Sequence, residues 1–100
     1  MTICIHGADI TEMLAYADMV DKVDETIVDM RLHHGIDIVP CASSAKMLCD
    51  IAGMVSDEEF DVSSAGVVEE MLYEMGERDE FRVKVVCAAY KAGALIKFKQ

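Results

Sequence analysis

Cys41 is the residue in this chain best placed for chemistry. It closes the run Gly35-Ile36-Asp37-Ile38-Val39-Pro40, which reads as a buried strand, and it is followed at once by Ala42-Ser43-Ser44, a serine-rich helix start. The free N–H groups and the dipole of a helix N-terminus stabilise a thiolate, and the thiolate is the nucleophilic form of cysteine. Ser44 could donate a hydrogen bond to that sulfur, or Ser43 and Ser44 could between them cap the helix. His6 ends the first apolar run. If the first two strands lie adjacent and parallel, its imidazole could deprotonate Cys41. Cys41, Ser44 and His6 are therefore the predicted catalytic set, and the competing role for Cys41 is that of a small buried hydrophobe.

Other chemistry finds little support. Cys4, Cys41, Cys49 and Cys87 are scattered through apolar segments, without CxxC or zinc-type spacing. Reduced thiols in a cytoplasmic protein are expected, with no disulfide framework, metal or cofactor. The chain has no Gly-rich phosphate loop, Ser-His-Asp order or HExxH motif.

The elements that must position Cys41 can be read from apolar spacing. Thr2 to His6 alternates like a short strand. Asp9 and Glu12 have the spacing of a capping box, and Met13, Tyr16, Val20, Val23, Ile27 and Met30 continue as an apolar stripe at steps of three and four. His33 and His34 complement the dipole of the last turn, and Gly35 stands where a helix-ending glycine belongs. One helix over about residues 9 to 34 is predicted. Val28, Met30 and Leu32 also alternate, so residues 26–34 could instead be a strand forming a hairpin with Ile36 to Cys41.

Beyond Cys41, Met47, Leu48, Ile51, Met54 and Val55 make one helical face. Phe60-Asp61-Val62 suggests a short strand. Ser63 or Ser64 then opens a helix with Val67, Val68, Met71, Leu72 and Met75 facing inward and Gly76 ending it. From Phe81 to Cys87 the residues alternate like a strand and equally fit a helix, which alanine-rich Cys87 to Ala92 favours for the later part.

One hundred residues with 53% hydrophobic content make a single globular domain over residues 1–100. The apolar runs are too short to cross a membrane, and the first residues lack the basic region of a secretion signal. The net charge of −10 excludes nucleic acid and anionic membrane as expected partners and leaves a basic protein open. Acidic residues are dense in the second half, from Asp57 to Glu80, as solvated faces or as a surface for a basic groove. Eight methionines fall mostly at core spacing, and a contact surface of adaptable thioethers is the alternative.

The Gly35 to Ser44 segment, the Met47 to Ile51 helix, and Ala65-Gly66-Val67 before an amphipathic helix resemble the DsrE/DsrF-like family over roughly residues 28–86. In that family a strand ends in a cysteine with a C-x-x-S pattern, inside a parallel sheet. The resemblance implies sulfur handling, with Cys41 as persulfide carrier or sulfur acceptor and Ser44 supporting the helix end. The chain departs from the pattern by lacking one N-terminal strand-helix unit. The last fifteen residues also have no counterpart in it.

The hairpin alternative gives a β-α-β-β-α-β-α order that resembles HPr-type phosphocarrier domains. Asp9-Ile10-Thr11-Glu12 stands where that family has its active-site histidine and arginine, and Met47 stands where its regulatory serine would be. The expected fold is therefore a small three-layer α/β sandwich with a mostly parallel sheet, with the β-α-β-β-α-β-α open-faced sandwich as alternative. The expected function is sulfur relay through Cys41 in a homo-oligomer with a protein partner. The alternative is a non-enzymatic acidic binding protein.

Overall fold

The structure, a computed structural model, describes residues 17–40 and 43–99. Helix α1 (Ala17–His33) leads into strand β1 (Ile36–Val39), and helix α2 (Ser44–Ser56) follows. A 3-10 turn (Val62–Ala65) then precedes helices α3 (Gly66–Glu74) and α4 (Glu80–Lys91), and strand β2 (Leu95–Phe98) closes the described chain.

Residues 26–34 are thus helical up to His33, as the three-and-four spacing requires. Val23 and Met30 are completely buried, and Met19, Val20 and Ile27 pack against the core beside them. The hairpin alternative, and with it the open-faced sandwich, is excluded because its second strand is the C-terminal half of α1. The predicted first strand and the predicted helix over residues 9–16 lie outside the described residues.

The expected mostly parallel sheet is also overturned. Among the described residues the sheet has two strands, β1 and β2, and they are antiparallel. Ile36 faces Phe98, Asp37 faces Lys97, Ile38 faces Ile96 and Val39 faces Leu95. Ile36 and Ile38 point into the core with Ile96 and Phe98 packed on it, while the opposite-charge pair Asp37 and Lys97 lies on the outward face. The strand expected at Phe60 to Val62 does not form. Asp61 instead caps the 3-10 turn by accepting from the Ser63 backbone N–H at 2.9 Å and the Ser63 hydroxyl at 2.7 Å. Those bonds favour the ionised carboxylate and lower the Asp61 pKa.

The fold is therefore a helical packing capped by a small ribbon. Helix α4 is its axis: Val83, Val85, Val86, Cys87, Ala88 and Ala89 are all buried, and α4 packs against α1, α2, the 3-10 turn, α3 and β2. Its small residues let neighbouring backbones approach from several sides. That is why its apolar residues run almost continuously and mimic a strand pattern.

Gly35 links helix and ribbon. Its φ is +68°, its carbonyl accepts from Lys99 N at 2.7 Å, and a Cβ there would lie 3.2 Å from the Lys99 carbonyl oxygen. Both the left-handed backbone and the close approach select glycine. Gly35→Ala is expected to lower the unfolding free energy by about 1–2 kcal/mol. Chemical denaturation checks this, and an unchanged midpoint would contradict it.

Candidate functional site

Of the predicted catalytic set, only Ser44 falls among the described residues. His6 and Cys41 lie outside them, so neither the expected Cys–His pair nor the thiol at the helix start has a described geometry. Ser44 is the first residue of α2 and is exposed. The helix is capped by Ser43, whose hydroxyl accepts from Lys46 N at 3.4 Å. Ser44 lines a groove of about 200 Å³ with Ile27, Val28, Arg31, Pro40 and Leu48, between α1, the end of β1 and α2. Among the described residues β1 pairs only with β2, antiparallel, so no parallel neighbour flanks its carboxyl end there.

The two described cysteines are free. Cys87 is fully buried on α4, and burial, with Glu69 as a lesser cause, pushes its thiol up to about 11. A thiol held protonated in an apolar setting is unreactive at neutral pH. In the native protein, Cys49, only partly buried, is expected to react with a disulfide reagent well before Cys87, which should label only as the chain unfolds. Faster labelling of Cys87 would contradict its burial. The raised value also fixes a sign. The stability that Cys87 contributes is complete below pH 9, the ordinary value, and is lost as pH rises through about 11, because the unfolded thiol ionises first.

A polar cluster that sequence spacing did not reveal joins α1 to the loop between α3 and α4. Glu77 is almost completely buried and is held from three directions. Arg82 donates to its Oε1 from Nε at 3.0 Å and Nη2 at 2.9 Å, the Asp79 backbone N–H donates to the same oxygen at 3.2 Å, and His34 Nδ1 stands 3.5 Å from Oε2. His34 Nε2 lies 3.1 Å from Asp29 Oδ2. His34 thus stands between two carboxylates just beyond the end of α1. The cleft beside this cluster has a volume of about 300 Å³. The Arg82 guanidinium and the Asp79 N–H engage Oε1 of Glu77, and His34 stands beside Oε2, which makes the cluster a fastening between elements. Among the described residues no three His, Cys, Asp or Glu side chains are placed to hold a metal ion.

The remaining feature is on α3. Val68 and Leu72 are buried as expected, but Val67, Met71 and Met75 are not inward: they are 69%, 36% and 44% exposed. At 100° per residue these three side chains form one stripe within about 80° of arc, and Glu70 and Glu74 fall directly beside it. Further round α3, beyond Glu70, the side chains are engaged internally. Tyr73 donates to Glu69 at 3.4 Å, and the Arg78 guanidinium lies 5.3 Å from the centre of the Tyr73 ring. Desolvation, together with Glu69, raises the Tyr73 pKa.

No family model matches this chain, and no curated protein or solved structure is significantly similar to it. Between Lys46 and Arg78 there is no basic residue, while Asp57, Glu58, Glu59, Asp61, Glu70 and Glu74 are all exposed there. None of the described helices is long and apolar enough to cross a membrane.

Proposed function

We propose that this protein is a non-enzymatic acidic binding module that engages a basic protein partner. One observation carries this role: the exposed Val67, Met71 and Met75 of α3 set beside Glu70 and Glu74, in a stretch of sequence, residues 47–77, that holds no basic residue. Apolar side chains supply the burial that drives association. The surrounding carboxylates steer a cationic partner and reject anionic ones. Methionine suits such a surface because its unbranched thioether adapts to the contour it meets. Two of the eight methionines thus serve contact, while Met30 and Met47 fill the core.

The sulfur-relay role implied by the DsrE/DsrF-like resemblance loses the parallel sheet on which it rested. The binding role does not require Cys41. Selection of binders from a random displayed-peptide library provides the test. Recovered peptides should combine apolar residues with Lys or Arg, bind less tightly as salt rises, and bind Cys41→Ser as well as the natural chain. Recovery of acidic or uncharged peptides, or loss of binding in Cys41→Ser with the fold intact, would contradict the proposal.

A further inference from the structure

We infer that the partner element seated on α3 is a basic amphipathic helix, laid along the Val67-Met71-Met75 stripe with its Lys or Arg residues against Glu70 and Glu74. This rests on the binding role proposed above and adds the shape and pattern of what is bound.

Three observations select a helix. The face is the convex side of one helix: the groove beside Ser44 lies elsewhere, and only the Met75 end of the stripe borders the cleft beside Glu77. It therefore presents a ridge. A ridge of residues at i, i+4 and i+8 fits the groove between the equivalent ridges of another helix. Val67 to Met75 rises about 12 Å, two helical turns, which matches two turns of an approaching helix.

Charge selects the sign of the partner. Glu70 and Glu74 are four residues apart on the same side of the stripe, so cations four residues apart on a facing helix meet both. The carboxyl end of α3 adds the negative pole of its dipole, and Glu74 is its last residue. Arg78, the nearest cation in sequence, is already engaged. Its Nη1 donates to the carbonyls of Tyr73 and Glu77 at 2.8 and 2.9 Å, and its guanidinium covers the Tyr73 ring, which lies beyond Glu70 around the helix. A second copy of this chain is disfavoured as occupant, because the same face would bring Glu70 and Glu74 against their own equivalents.

The test uses two synthetic peptides of identical composition. One carries leucines at i, i+4 and i+8 with flanking lysines. The other is scrambled so that no helical stripe exists. Fluorescence anisotropy at low salt should show the patterned peptide binding roughly tenfold or more tightly than its isomer. The double variant Val67→Glu with Met71→Glu, exposed changes that leave the circular dichroism unaltered, should lose roughly tenfold or more, and Glu70→Lys with Glu74→Lys should lose a similar amount.

Equal binding of the two peptides would overturn the helical partner while leaving an acidic module that takes extended basic segments. No binding of either peptide would overturn both. Sedimentation showing a dimer that Val67→Glu abolishes would make a second copy the occupant, and that also overturns the inference.

Discussion

Leu72→Ala is expected to lower the unfolding free energy by about 2–5 kcal/mol, the range for emptying a closed aliphatic site. Leu72 has no exposed surface and lies on the inner side of α3, with Val68, where the helix packs on α4 and the 3-10 turn. Alpha-3 has only nine residues, too few to be stable in isolation, so its helicity depends on this buried side. The end of α3 adds some local definition. The Gly76 N–H bonds the Tyr73 carbonyl at 3.0 Å, the Glu77 N–H bonds the Leu72 carbonyl at 2.9 Å, and Gly76 supplies the positive φ of +90° that this closure needs. Loss of Leu72 should therefore loosen the whole segment and weaken partner binding even at temperatures where the rest of the fold persists. Urea unfolding followed by circular dichroism measures the first effect. A cost below about 1 kcal/mol would show that α3 is not anchored as described.

Arg82→Met is expected to cost about 2–4 kcal/mol, and Glu77→Gln only about 1–2 kcal/mol. The asymmetry follows from exposure. The Glu77 side chain is 7% exposed and that of Arg82 is 33% exposed. Removing the arginine strands a buried carboxylate, with only the Asp79 N–H and His34 left near its oxygens. Removing the glutamate charge leaves a guanidinium that already reaches water, so solvent screens the loss. A double-mutant cycle over the pair should show coupling well above the sum expected for independent sites. Equal costs for the two single variants would contradict the burial difference.

Much of the helical framework was legible because local spacing determines it. Val20, Val23, Ile27 and Met30 gave the buried side of α1. Met47, Ile51 and Val55 gave that of α2, and Gly76 marked the end of α3. The sheet was not legible in the same way. Its two strands, four residues each, are separated in the chain by three helices, and no local pattern reports that residues 36–39 will pair with 95–98, let alone in which direction. The ambiguity of residues 81–89 has a related cause, since a helix packed on several sides loses the periodicity that one-sided burial imposes.

The candidate site was legible only in part, for physical reasons. The Val67-Val68-Met71-Leu72-Met75 stripe correctly predicted a helix. It is wider, however, than the side a single neighbour can bury, and only the packing on α4 decides which half turns outward. The Glu77 fastening joins residues from α1, the α3–α4 loop and α4, so no motif spacing could announce it. Ser44 remained where it was expected, at a helix start, but without the parallel strand that gave the position its meaning.

Helix α3, through its outward stripe, is the surface proposed to meet a partner. The most direct measurement is amide chemical-shift mapping of the natural chain during titration with the lysine-flanked helical peptide at low salt. The account predicts that the shifts concentrate between Val67 and Met75 and shrink as salt is added. Shifts confined to the groove around Ser44, or to the Glu77 cleft, with α3 unmoved, would contradict it.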